Sequence, residues 1–535
     1  MIFDYVIVGA GSAGCVLANR LTADGRHSVC LLEAGPPDWH PMIHIPAGFM
    51  KLLDDATFNW RYQTEPTEWT GGRAIPVPRG KTLGGSSSIN GNIYSRGHRE
   101  DFNSWAQMGN RGWGYDDVLP YFRRAETKLG AGEDAYRGRD GELVVTDTDW
   151  TSVLGDAFIR GCESVGIPRN PDYNGGEQEG VNYTQRTIHK RRRMSTARAF
   201  LKPAKARENL HVETSAQATK LILEGTRVTG VAYRVGGRRG EDRTVTARRE
   251  VIVSGGTINS PQLLQLSGIG DPDHLREIGI ECLHALPGVG QNLRDHYAPR
   301  FTARVKNAVS VNQRAQGLGL VPEVLKWMSG KPSVLSLPAT LCYAFWRSNP
   351  DIANSDLQIT FMPASYISGR QAILDKYPGM SIACWQQRPE SLGYVKAKSA
   401  DPFEKPVIQP NYMSAELDRQ VVLAGMKLAR RILCSEPMAP YFDGEASPGD
   451  QVQSDADLME ALKQRGTTTF HPMGACRMGP ADQKHNVVDD RLRVHGLEGL
   501  RVIDASIMPT MPSANLNASV IMIAEKGAEM IAAPG

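Results

Sequence analysis

The sequence predicts an α/β fold, α+β overall. A Rossmann-like domain is assembled from discontinuous segments and joined to a second domain with an antiparallel sheet and helices. Three observations carry this. The chain opens as a strand running straight into Gly9-x-Gly11-x-x-Gly14 and a helix, with a second apolar strand behind it. Residues 210–253 alternate apolar and polar and end in the buried run Glu250-Val-Ile-Val-Ser-Gly-Gly256. Residues 300–460 lack such signals, and motif-dense sequence returns only at Phe470-His-Pro-Met-Gly-Ala475 and Leu500-Arg-Val-Ile-Asp-Ala505. A chain of 535 residues is too long for one small core. The expected first domain is residues 1–155, 205–300 and 460–535, and the expected second is 156–204 and 301–459.

Residues 1–35 form a β-α-β unit. In the glycine turn the first glycine permits the bend, the second lets a phosphate approach the backbone, and the third lets helix pack on strand. The helix start offers free N–H groups and a positive dipole end to a pyrophosphate. Glu33 ends the second strand, nineteen residues past Gly14, where a carboxylate accepts from a ribose diol. The spacing points to a dinucleotide without separating NAD from FAD, and an acid at position 33 argues against NADP. Residues 39–75 are irregular and aromatic, a covering excursion. A second glycine cluster follows at Arg79-Gly-Lys-Thr-Leu-Gly-Gly-Ser-Ser-Ser-Ile-Asn-Gly-Asn92.

Trp105 to Glu126 reads as a surface helix with Asp116 as N-cap. Residues 210–253 read as an antiparallel meander. Ser260-Pro-Gln-Leu-Leu reads as a helix start with proline in its first turn. In the 300–460 region Leu357–Phe361 and Gly393–Ala397 read as strands and Leu417–Leu433 as a helix. Asn515-Leu-Asn517 precedes an apolar helix.

Lys and Arg number 61 against 58 Asp and Glu, a balance that makes no electrostatic case for nucleic acid. The basic runs Lys190–Arg193 and Arg238–Arg239 read as a solvated loop and a solvated hairpin. No apolar run spans a bilayer and the first strand leaves no room for a signal peptide. Eight cysteines show no C-x-x-C pair and read as buried thiols in a reducing compartment. A cytoplasmic enzyme is expected, with peripheral membrane contact at the inner face left open. No metal spacing and no hydrolase elbow is present.

Gly80-Lys-x-Leu-Gly-Gly-Ser-Ser-x-Ile-Asn90, running on to Gly97 and Asn103, and Gly256-Thr-x-x-Ser260-Pro-x-Leu-Leu-x-x-Ser267-Gly-Ile-Gly270 are two long signatures. With the fingerprint they resemble the glucose–methanol–choline (GMC) oxidoreductase family over the whole chain. The texture is similar to its bacterial choline-dehydrogenase-like and alcohol-dehydrogenase-like branch. The resemblance implies FAD. It implies that Gly9, Gly11, Ser12, Ala13 and Gly14 take the pyrophosphate and Glu33 with Ala34 the adenosine ribose. Gly84, Gly85, Asn90, Gly91, Asn92 and Ile93 would run along the isoalloxazine and ribityl chain. Ala218 would meet adenine through its backbone; Ser254, Gly255 and Asn517 add further cofactor contacts, and Asp504 and Ala505 lie near the ribityl and pyrimidine side. Some relatives carry a flavin-linking histidine where this chain has Ile89, so the FAD is expected to be non-covalent.

Among twelve histidines, His471 stands out because Pro472 restricts it to extended backbone, and the resemblance puts a catalytic base there and a second catalytic position at Asn515. His296, in Gly-Gln-Asn-Leu-Arg-Asp-His, reads as packing. The implied reaction is oxidation of a primary alcohol to an aldehyde. His471 takes the hydroxyl proton and hydride passes to flavin N5, with electrons going on to a quinone-like or other acceptor. An alcohol oxidase producing H₂O₂ and a hydroxynitrile-lyase-like flavoprotein are the alternatives. The substrate side chains of 300–460 and the oligomeric state stay open.

Overall fold

The computed structural model describes residues 1–367 and 373–532. Its first sheet is the predicted Rossmann-like layer. Leu210–Glu213, Val29–Leu32, Ile2–Val8 and Glu241–Val253 lie side by side in parallel, in that order. The 13-residue strand Glu241–Val253 has two jobs. Its start pairs antiparallel with Arg227–Val235, which pairs with Ala216–Glu224 to make the meander. Its end, Val251–Val253, pairs in parallel with Leu500–Val502. One strand therefore joins the opening of the chain to its close. Leu210–Glu213 was expected to begin the meander; it extends the parallel layer instead, pairing from Leu210 with Val29 to Glu213 with Leu32.

The second sheet is antiparallel throughout, in the order Phe442–Ser447, Arg300–Val305, Gly379–Gln386, Leu357–Met362, Cys342–Trp346, Gly180–Tyr183. Helices Val153–Ser164 and Glu416–Leu433 bury their apolar stripes on one face of it, around Phe158, Phe361 and Ile382. The strand Gly393–Lys396 joins Gln291–Leu293 and Val407–Gln409 in a separate small sheet.

Three local readings change. The expected helix at Trp105–Glu126 is two helices, Arg99–Gln107 and Tyr115–Ala125. Gly114, not Asp116, caps the second, and Asp117 reaches back to the Gly114 N–H at 3.1 Å. The helix at Ser260 starts earlier, at Gly256, so Pro261 lies inside it. All eight cysteines are free thiols, six of them buried. Among the described residues no helix is long and apolar enough to cross a membrane.

Candidate active site

A cavity of about 420 Å³ runs from the glycine fingerprint to the exposed face of the second sheet. At its first end Gly9 has φ +99°, and a Cβ there would lie 2.5 Å from the Ser254 carbonyl oxygen. That conformation and that approach admit only glycine. Gly14 does not line the cavity; it lets the helix Ser12–Leu21 rest on the Gly9 carbonyl. No side chain caps this helix, and Gly11, Ser12 and Ala13 present its open first turn to the cavity. The Ser12 hydroxyl donates to Asn517 Oδ1 at 2.7 Å, so the first and last helices of the chain begin at one point.

Glu33 lines the cavity at the strand end and accepts from the Ala10 and Gly35 N–H groups at 2.9 and 2.8 Å. Burial pushes its carboxyl up to about 7. Ala34, Ala218, Ser254 and Gly255 also line this end, and the strand register slips between Ala218 and Lys220. Ala218 pairs with Tyr233, and the bulge leaves Thr219, the next residue, out of the ladder.

The second glycine cluster packs on the first. A Cβ on Gly85 would lie 2.7 Å from Gly11 Cα. Gly85, Asn90, Gly91 and Ile93 line the cavity, whereas Gly84 and Asn92 sit behind it. Asn92 is fully buried in a left-handed turn, φ 61°, with both amide atoms unpaired by protein. Asp504 and Ala505 line the wall. The Asp504 carboxylate is already engaged: it accepts from Gly256 N–H at 2.8 Å and Ser260 Oγ at 2.5 Å, tying the late strand to the Gly256–Leu266 helix.

Sequence reading took Lys190–Arg193 as a solvated loop; Arg193 corrects it. Its guanidinium is buried and donates to the carbonyls of Ile43, Ser87 and Asn90 and to Asn90 Oδ1. With no carboxylate beside it, burial pulls its pKa down to about 9. It braces the glycine loop against the covering excursion.

At the other end stand His471 and Asn515. Phe470 carries φ 69°, a strained conformation for a bulky residue. It is held by Thr468 Oγ1 on its N–H and by Arg79, whose guanidinium donates to its carbonyl at 2.6 Å. Buried Asp295 accepts from His471 N–H, His296 N–H, Tyr412 OH and Thr468 Oγ1, which fixes this backbone.

The side chains then form one directed chain. Tyr343 OH donates to Asn515 Oδ1 at 2.8 Å, and Asn515 Nδ2 contacts His471 Nε2 at 2.8 Å. His471 Nδ1 lies 2.9 Å from His296 Nδ1, and His296 Nε2 lies 2.7 Å from the Gln387 carbonyl oxygen. A carbonyl only accepts, so neutral His296 is protonated at Nε2 and bare at Nδ1. The Asn515 amide donor needs a bare Nε2, so His471 carries its proton on Nδ1, which faces both His296 Nδ1 and, at 2.8 Å, Thr469 Oγ1. Burial brings His296 down to about 4. Burial, then His296 and Arg79, hold His471 well below the ordinary imidazole value. His296 is thus a side-chain partner of His471, beside Thr469 and Asn515, and not mere packing. Tyr343, 172 positions from Asn515, carries no sequence pattern that connects it to that amide.

A family model described as GMC oxidoreductase matches residues 3–298, and its C-terminal counterpart matches residues 389–524. The chain is a GMC oxidoreductase. FAD is its cofactor. Human mitochondrial choline dehydrogenase is 41% identical, the match covering 99% of this chain and 89% of the relative. An alcohol dehydrogenase (acceptor) of Pseudomonas putida is 41% identical, covering 99% and 96%. The solved formate oxidase of Aspergillus oryzae, in which FAD is modified, has a TM-score of 0.91 at 26% identity, covering 99% and 98%. The walls of this GMC oxidoreductase suit the dinucleotide. An added Cβ on Gly11 or Gly256 would meet no protein atom within 4 Å, so both glycines keep cavity space clear. Ile89, in the cavity wall, offers no nucleophile.

Proposed function

We propose that this GMC oxidoreductase oxidises a primary alcohol to an aldehyde and passes the electrons to a quinone-like acceptor, with FAD held non-covalently. The observation that carries the reading is the directed chain from Tyr343 to Gln387, which leaves a basic lone pair on His471 Nε2 beside an amide donor in the cofactor cavity.

The alcohol O–H displaces the Asn515 contact and gives its proton to Nε2. Asn515 Nδ2 donates to the substrate oxygen, and this bond strengthens as the oxygen becomes alkoxide-like. Tyr343 holds the amide in that orientation, and the oxygen's position sets which C–H points into the cofactor space. FAD, when bound, supplies the hydride acceptor. Gly9, Gly11, Ser12, Ala13, Glu33, Ala34, Gly85, Asn90, Gly91, Ile93, Ala218 and Asn517 are proposed to hold it. The names of the relatives, an alcohol dehydrogenase working with an acceptor and a choline dehydrogenase, support alcohol oxidation.

Anaerobic mixing with short primary alcohols should bleach the flavin absorbance. His471→Ala should keep its FAD and lose kcat by about a hundredfold or more. Failure of every alcohol to bleach the flavin, or near-wild-type turnover in that variant, would refute the reading. Quinone-analogue reduction measured against H₂O₂ release decides the acceptor, and acid precipitation should leave the yellow colour in the supernatant.

A further inference from the structure

Arg300 is the first residue of its strand in the second sheet. The register runs Arg300, Ala383, Thr360, Tyr343 across four neighbouring strands. Directly opposed residues share a face, and all four line the cavity. Tyr343 ends the row at the catalytic amide, through its bond to Asn515. Arg300 stands three strands away, about 14 Å between Cα atoms at ~4.8 Å per strand. Two long side chains reaching in from such positions leave room between them for a chain of several carbons.

The guanidinium is exposed into the cavity although it lies deep in the protein. Among the described residues no carboxylate pairs with it, and the Tyr366 ring lies 4.9 Å from it. Residues 368–372 contain no Asp or Glu. Two other interior guanidiniums are held by protein oxygens: Arg137 by Glu126 and Asp172, Arg193 by four oxygens. The acids on the cavity wall are Glu33 and Asp504, both at the fingerprint end and both committed to backbone donors. Among the described residues, the cavity wall at the catalytic end thus carries no carboxylate, and the Arg300 guanidinium there has no hydrogen-bond partner, whereas Arg79 donates to the Phe470 carbonyl and Asp295 lies behind His471.

We propose that Arg300 anchors a carboxylate at the far end of the substrate, so the alcohol is a terminal hydroxy acid, and a cationic alcohol such as choline is rejected. The planar fork matches a carboxylate bidentately, and the Tyr366 ring holds the guanidinium from behind. This rests on the alcohol-oxidising reading above.

The holoenzyme should be assayed with ω-hydroxycarboxylates of four to eight carbons, the matching neutral terminal alcohols, and choline. Wild type should favour the best hydroxy acid over its neutral counterpart by about tenfold to a hundredfold in kcat/KM, the range of a charge-assisted pair. Arg300→Gln should erase most of that ratio through KM, Arg300→Lys should restore part of it, and Arg300→Glu should invert it toward choline. Hexanoate, which has no hydroxyl to oxidise, should bind wild type saturably, read by the flavin absorbance or tryptophan fluorescence, and should bind Arg300→Gln at least tenfold more weakly. Equal use of charged and neutral alcohols together with no hexanoate binding overturns the proposal and leaves alcohol oxidation standing. Hexanoate binding lost in Arg300→Gln, with no alcohol bleaching the flavin, upholds the anion anchor and rejects the oxidation reading instead.

Discussion

In the reaction proposed above, Nε2 is the nitrogen of His471 that would act as base, and the Gln387 carbonyl, remote from substrate, supports that choice. Because it only accepts, His296 is protonated at Nε2 and bare at Nδ1, and the Nδ1 proton of His471 is shared between His296 Nδ1 and Thr469 Oγ1. The electrostatics agree in sign. Both imidazoles are shifted below 6.5, so both stay neutral as the solution is acidified from pH 8 through the ordinary imidazole range. The base is lost only when pH falls through the depressed value of His471. The pH profile of kcat/KM should therefore stay flat down to about pH 6, with its acid limb well below 6.5. A limb centred on 6.5 would show that His471 is not the buried neutral base described. His296→Asn, which still offers an acceptor to His471 Nδ1, should keep more kcat than His296→Leu. The sequence revealed His471 because Pro472 and the motif around it are local. It hid His296, whose contact spans 175 positions and leaves no periodic trace.

At the level of elements, local pattern did well wherever burial has a period. The β-α-β unit, the meander and the strand Leu357–Met362 all show it in their alternation or glycine spacing. Pattern failed where one long-range bond decides. The basic run 190–193 looks solvated because three of its four residues reach the surface at least in part, yet Arg193 turns inward and is the brace of the glycine loop. Its donors meet four oxygens, including Ser87 and Asn90 carbonyls, at 2.7–3.2 Å. Arg193→Met would take the guanidinium donors from the Ile43, Ser87 and Asn90 carbonyls, leaving Asn90 Oδ1 only the Asn92 N–H, and free the loop that borders the cofactor. FAD affinity should fall by about tenfold or more, measured by flavin release on gel filtration and by reconstitution titration. Arg193→Lys should recover little, since a single ammonium cannot reproduce the fork. Unchanged FAD retention in Arg193→Met would remove the brace from the account.

The whole molecule depends on joining its two ends. Leu500–Val502 completes the first sheet beside Val251–Val253, and the last helix, Asn517–Ala532, packs on Ser12–Leu21. This closure was readable as motif-dense sequence at both termini, but the clamp that secures it was not. Glu525, with its side chain fully buried, receives Arg20 Nη2 at 2.7 Å and Arg124 Nε at 2.8 Å, while Arg20 also meets Glu142. Removing this fully buried acid breaks two ion pairs at once, leaving Arg20 with Glu142 alone and Arg124 with Glu529. Glu525→Ala should destabilise the fold by roughly 3 kcal/mol and lower the apparent Tm by several degrees. Arg124→Ala should cost less, because its side chain is 38% exposed and its charge is screened. The two variants should also separate in cofactor binding. Asn517, which holds Ser12 at the fingerprint, opens the helix that Glu525 anchors, so loosening the clamp should weaken FAD binding and make Tm more dependent on added FAD. Equal Tm values for the two variants, or a Glu525→Ala protein that retains FAD as wild type does, would show that the strand pairing alone closes the domain.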